Sequence, residues 1–146
     1  MRDHLDFAVR TAHESGRLTL GYFQNGVRPE MKSDDTPVTA ADREAETLIR
    51  SRIGERYPDH AILGEEYGGD GGGSQRWIVD PIDGTLACVR GVPLYAVLLA
   101  LEVEGVVEVG AAYFPALDEM LCAATGEGCY LNGRRVKVSQ TSNLSE

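Results

Sequence analysis

One stretch constrains this chain more than any other: Trp77-Ile78-Val79-Asp80-Pro81-Ile82-Asp83-Gly84-Thr85. An apolar run ends in an acid, a proline follows, and a second acid leads into Gly84-Thr85. The pattern predicts a buried strand ending at Asp80, a tight turn stiffened by Pro81, and a short helix opening near Gly84. Two carboxylates on such a turn can converge on one point. Convergent hard oxygen ligands suit Mg²⁺, which keeps several waters and takes substrate phosphate as a further ligand. The Gly84 and Thr85 amides, at the start of a helix, would attract an anion. One turn could hold both a metal and a phosphate.

The segments before it read as helices and a short strand. Residues 4–24 carry Leu5, Ala8, Val9, Ala12, Gly16, Leu20 and Phe23 at helical spacing, with Asn25-Gly26 as the stop. His4 and His13 show no partner in the pattern and read as surface residues. Residues 26–38 read as a solvated polar loop containing Lys32, Ser33, Asp34, Asp35 and Thr36. Thr39 is a good N-cap for a second helix, with Asp42 at the capping-box position. Ala45, Leu48, Ile49 and Ile53 form its buried stripe, and Tyr57-Pro58 closes it. Capping alone would explain Asp42; an alternative role is to orient a hydroxyl from another element.

His60 to Leu63 predicts a short strand ending at Gly64-Glu65-Glu66. That acidic pair is either a solvated surface feature or a set of metal ligands, if its strand lies beside the one ending at Asp80. The glycine-rich run 68–74 lacks a phosphate-loop pattern and reads as a hairpin-like connection. After a short helical segment at 85–91 the chain is nearly all strand. Leu94 to Val103 reads as a central strand covered on both faces. Val106–Phe114, Glu119–Ala124, Gly128–Leu131 and Arg134–Val138 follow, the last two joined by Asn132-Gly133, a two-residue hairpin signal. Hairpin-ordered strands make an antiparallel meander. The expected class is α+β, two N-terminal helices packed on one face of a mostly antiparallel sheet. The tail from Ser139 is polar and carries no further element.

At 146 residues the chain is long enough for a single domain with a real core. A net charge of −9 argues against a general nucleic-acid binder, which needs a basic face. It permits a phosphorylated small molecule, because bound cations can reverse the local sign. No apolar run is long enough to span a bilayer, and the start lacks a signal-peptide pattern. Cys88, Cys122 and Cys129 are odd in number and lack CxxC spacing, so they read as reduced thiols of a cytoplasmic protein.

Four segments in order carry a resemblance: Lys32 with Val38-Thr39-Ala40-Ala41-Asp42; Gly64-Glu65-Glu66; Asp80-Pro81-Ile82-Asp83-Gly84-Thr85; and Gly91-Val92-Pro93-Leu94-Tyr95. Together they resemble the inositol monophosphatase family of Mg²⁺-dependent, lithium-sensitive phosphatases. The run Val89 to Tyr95 is most similar to its histidinol-phosphatase branch. The resemblance implies that Glu65, Asp80 and the Ile82 carbonyl ligate a first metal, and Asp80 with Asp83 a second. It implies that Gly84 and Thr85 offer amides to a phosphate beside Asp83. Thr85 paired with Asp42, together with Glu65, would activate the attacking water, with Lys32 and Glu66 in support. The implied reaction is hydrolysis of a small phosphorylated metabolite, a histidinol phosphate or inositol monophosphate, by metal-activated water.

Two departures stand out. The family usually carries a polar and then an aromatic residue shortly after the DGT triplet, where this chain has Leu86-Ala87-Cys88. The branch often has Gly-Thr where Ala96-Val97 follows Tyr95. Both imply altered substrate fit or weaker activity. Family members also continue into a second α/β lobe, whose WDxAA-type motif completes the second metal site. The only tryptophan here is Trp77, so this chain is expected to be the first lobe alone. The alternative function is a catalytically incomplete module that binds metal and phosphate or drives oligomerisation. The surface left by a missing lobe predicts a homo-oligomer.

Overall fold

A computed structural model describes residues 1–26, 28–33, 37–69 and 72–143, with Pro37 as backbone only. Helix α1 (Arg2–Leu20) buries Leu5, Phe7, Ala8, Ala12 and Gly16. It ends earlier than the periodicity predicts. The Thr19 hydroxyl donates back to the Gly16 carbonyl at 2.8 Å, and the Asn25 amide donates to the Gly21 carbonyl at 2.6 Å. Such local bonds compete with the helix ladder, and the chain turns through Gln24 and Gly26 at positive φ.

The polar loop is more ordered than expected. Strands β1 (Glu30–Met31) and β2 (Pro37–Val38) pair antiparallel, Glu30 opposite Val38. Asp34, Asp35 and Thr36 lie outside the described residues. Helix α2 (Ala40–Arg56) starts in a complete capping box between Thr39 and Asp42 and closes at Tyr57, as the sequence predicts.

Seven strands form the main sheet: β3 (Ala61–Gly64), β4 (Gln75–Asp83), β5 (Ala96–Val103), β6 (Val106–Phe114), β7 (Glu119–Ala124), β8 (Gly128–Leu131) and β9 (Arg134–Val136). They lie side by side in chain order. All neighbours are antiparallel except β3 and β4, which run parallel. The 65–74 connection is therefore a return between parallel strands, not a hairpin, and its Asp70 and Gly71 lie outside the described residues. Asn132 and Gly133 turn β8 into β9 with φ of 48° and 76°, the geometry a two-residue turn demands.

Both helices pack on one face of the sheet. Their apolar side chains meet Trp77 and Val79 of β4, Val97, Leu99 and Leu101 of β5, and Val109, Ala111 and Tyr113 of β6. Gly16 is where α1 comes closest: a Cβ there would lie 2.4 Å from a Tyr113 ring carbon. A smaller cluster of Ala41, Ile82, Cys88 and Tyr95 joins α2 to the end of the sheet that carries the acids.

The other face is not covered. Leu98 and Ala100 of β5, expected to be buried, line an open trough of about 430 Å³ with Ile78, Ala112, Leu121 and Ala123. The apolar run in β5 is apolar on both faces, but the described residues cover only one. His4 departs from expectation in its burial, while His13 is exposed, as expected. His4 is half-buried and stacks on Tyr57 at 5.0 Å, and the His13 ring lies 4.9 Å from Tyr113.

Candidate metal and phosphate site

The central stretch does not form a tight turn. β4 runs on through Pro81 and Ile82 to Asp83, which pairs with Ala96, and the register shifts between Asp80 and Asp83. Pro81 has no N–H for the ladder, and a bulge absorbs that missing donor. The bulge then leaves Asp80 and Asp83 on one strand end with their carboxyls near each other. The step into the helix is as predicted: Gly84 has φ +91° and caps α3 (Thr85–Val89). A Cβ on Gly84 would sit 3.1 Å from the Leu94 carbonyl, so both conformation and space favour glycine.

β3 delivers the acidic pair beside this strand, because Gly64 pairs with Val79, one residue before Asp80. Asp80 Oδ1 is buried and has no hydrogen-bond partner. Its carboxyl is pushed up to about 8, first by burial, then by a hydrogen bond to Glu65 and the charges of Glu65 and Asp83. Three acids thus press on one another around an unsatisfied buried oxygen. All the donors are hard oxygens, which fits a small divalent cation. Among the described residues no three such side chains already form a metal-holding cluster; Glu65 is instead turned to Lys32.

Lys32 is engaged, although its surrounding loop looks mobile by composition. Its ammonium lies 3.2 Å from Glu65 and 2.7 Å from Glu66. Burial lowers its proton affinity, yet the bonds to Glu66 and Glu65 carry it above the ordinary lysine value. Burial pushes the Glu66 carboxyl up, with Lys32 opposing.

Asp42 fills both of its candidate roles. Its Oδ2 accepts from the Thr39 amide at 2.8 Å and the Thr39 hydroxyl at 2.5 Å, which is the cap. Its Oδ1 lies 3.1 Å from the Thr85 hydroxyl, which is also 3.1 Å from the Ile82 carbonyl. One hydroxyl therefore ties α2, the end of β4 and the start of α3 together. All nine predicted site residues fall in this corner of the fold. Of the departures from the family pattern, Leu86 is exposed beside it, while Cys88, Ala96 and Val97 are buried.

Glu46 escaped the sequence reading. It is fully buried on α2 and accepts from the Glu66 amide at 2.7 Å and the Tyr67 amide at 3.3 Å. The signal was present as a polar row at four-residue spacing, Asp42, Glu46 and Arg50, inside an otherwise apolar stripe.

Comparison with known proteins agrees with this geometry. The inositol monophosphatase family profile matches residues 1–146. A histidinol-phosphatase of Chlorobaculum parvum is 48% identical across 99% of this chain, and a fructose-1,6-bisphosphatase/inositol-1-monophosphatase of Thermotoga maritima is 37% identical across 99%. The matches cover 57% and 56% of those relatives, so the chain spans a little over half their length. The solved Thermotoga maritima IMPase superposes with a TM-score of 0.93 at 37% identity, over 99% of this chain and 57% of that one. Sequence, fold and the arrangement of acids agree: the chain belongs to the inositol monophosphatase family.

Proposed function

We propose that this chain is the metal- and phosphate-binding lobe of a Mg²⁺-dependent phosphomonoesterase acting on a small phosphate ester. The observation that carries the reading is the buried, unpartnered Oδ1 of Asp80, whose carboxyl feels the neighbouring acids Glu65 and Asp83. Glu65, Asp80 and the Ile82 carbonyl would hold one cation, and Asp80 with Asp83 a second. When bound, the cations supply neutralisation of the phosphate charge and acidification of a water. The chain's own groups do the positioning, which is most of what phosphoryl transfer asks of a protein. Thr85 donates its proton toward Asp42 Oδ1, leaving oxygen lone pairs to accept from the attacking water and aim it. Asp42 keeps that hydroxyl in place because its other oxygen is fixed by Thr39. Glu65 takes part in activating that water. The Gly84 and Thr85 amides receive the phosphate beside Asp83. Lys32 and Glu66 support the site by setting the local charge beside Glu65.

The relatives' names point to histidinol phosphate and inositol monophosphate as the substrate class. A cytoplasmic setting fits three free cysteines, and the acidic net charge fits a metabolite rather than a nucleic acid. Lithium is expected to inhibit. The test is phosphate release by the 146-residue chain with Mg²⁺ over histidinol phosphate, inositol 1-phosphate and an aryl phosphate. Mg²⁺-dependent turnover on either metabolite supports the enzyme reading and names the substrate.

A second reading has its own observation. The open apolar trough on the sheet's far face is a surface on which a second copy or another partner could pack. A folded chain that binds Mg²⁺ without turnover would establish a binding or oligomerisation module.

A further inference from the structure

The acidic loop is fixed to the fold residue by residue, and one side chain does most of the fixing. The Gly64 amide donates to the Gly68 carbonyl at 3.0 Å, closing the loop on itself. The Glu65 amide donates to the Val79 carbonyl at 3.1 Å, extending the β3–β4 ladder. The next two amides, of Glu66 and Tyr67, both go to the Glu46 carboxylate. Arg50 completes the arrangement: its Nε donates to Glu46 Oε1 at 2.8 Å, and its Nη2 donates to the Gly68 carbonyl. Gly64 leaves room for it, since a Cβ there would lie 1.8 Å from Glu46 Oε1.

From this geometry we propose that Glu46, braced by Arg50, is the positioning residue of the acidic loop and sets where the Glu65 carboxylate points. The proposal rests on the reading of Glu65 as a metal ligand. Four consecutive amides, from Gly64 to Tyr67, are committed, so the backbone under Glu65 has one arrangement. Both Glu46 oxygens act only as acceptors, and all three partners are donors. A glutamine at this position must turn its NH₂ toward one of those donors, so its shape is retained while the bonding pattern is broken. A buried pair that merely glued α2 to the sheet would not need to face the two amides that follow Glu65. Partners that orient a metal ligand without touching the metal typically contribute 10–100-fold in affinity.

The experiment combines amide hydrogen exchange with Mn²⁺ titration by calorimetry on the 146-residue chain, in the wild type, Glu46→Gln, Arg50→Gln and Glu65→Gln. Glu46→Gln should speed exchange at Glu66 and Tyr67 roughly tenfold or more and weaken Mn²⁺ binding by about 10–100-fold. Arg50→Gln, which leaves the two amide bonds, should give a smaller effect in the same direction and serves if Glu46→Gln does not fold. Glu65→Gln should lose Mn²⁺ binding while leaving the loop amides as protected as in the wild type. Unprotected Glu66 and Tyr67 amides in the wild type would overturn the proposal. So would a folded Glu46→Gln, or in its place Arg50→Gln, that loosens the loop yet binds Mn²⁺ as the wild type does. No Mn²⁺ binding by the wild type would instead overturn Glu65 as a ligand, and its positioning with it, while the exchange data still report the clamp.

Discussion

Asp80 is buried against two other acids, a state that costs stability once its proton leaves. Its folded carboxyl titrates near 8, well above the ordinary aspartate value of 3.8. The folded chain therefore binds more protons than the unfolded chain between these values, and stability falls as pH rises through that window. The metal-free protein should lose on the order of 2 kcal/mol between pH 5 and pH 8, since the proton is shared within a coupled group. Mg²⁺ should restore it, and Asp80→Asn should flatten the slope; urea melts followed by Trp77 fluorescence would read all three. A slope unchanged in Asp80→Asn would mean that the acids are not pressing on one another as described. Asp83 gives a cleaner functional test, because it is exposed at the end of β4. Asp83→Asn should leave stability within about 0.5 kcal/mol. It should lower Mg²⁺-dependent phosphate release by more than the roughly 10–100-fold lost when only an outer partner of a ligand is removed. Activity that survives it would remove Asp83 from the ligand set.

At the scale of elements, α1 packs on β5, β6, β7 and α2, and two of its contacts can be tested singly. Gly16→Ala adds a helix-favouring residue, yet its Cβ would press into Tyr113 and Pro115. Overpacking should win, lowering stability by about 1–3 kcal/mol in a urea melt. At the other end His4, Tyr57 and His60 stack above the fully buried Trp77, whose indole N–H donates to His60 Nδ1 at 3.1 Å. Burial lowers the proton affinity of both histidines, with the His60 charge also acting on His4. A lowered folded value means that their contribution is complete above about 6.5 and is lost as pH falls through the folded value. Protonating His60 would also set two donors face to face. Stability should drop between pH 7 and 5, opposite in sign to the Asp80 effect, and His60→Asn should reduce that drop; an undiminished drop would clear His60. The helices, the α2 cap, the meander and the Asn132-Gly133 turn were legible because each rests on short-range pattern. The candidate site residues were picked out through motifs, and the fold gathers them at one corner. What the sequence did not reveal are long-range arrangements. The parallel β3–β4 pair, the bulge after Asp80, the reach of Lys32 to Glu65 and Glu66, and the stack over Trp77 join residues 13 or more positions apart. The four-residue row of Asp42, Glu46 and Arg50 was visible, but helix spacing alone does not say that Glu46 meets the amides of Glu66 and Tyr67, 20 and 21 positions away.

For the whole molecule, the governing fact is that the described residues cover the sheet on one side only. Both helices protect the face that carries Trp77, Leu99 and Tyr113, while Leu98, Ala100, Ala112, Leu121 and Ala123 line a trough on the opposite face. Contiguous apolar surface of this kind is uncommon on a protein that stays alone in water. Small side chains run down its middle, at Ala100, Gly110, Ala112 and Ala123, between the bulkier Leu98 and Leu121, so a partner's backbone could approach closely. The chain alone should therefore self-associate, with sedimentation showing dimers or larger species that grow with concentration. Leu121→Glu and Ala123→Glu sit on β7, outside the helix-facing core and separated from the acids of β4 by β5 and β6. Together they should shift the population to monomer while leaving Mg²⁺ binding unchanged. If activity were found in the wild type and lost with association in this double variant, then the neighbouring copy would be completing the site. If the chain stayed monomeric across the whole concentration range, the trough would not be a self-association surface, and the homo-oligomer would be wrong.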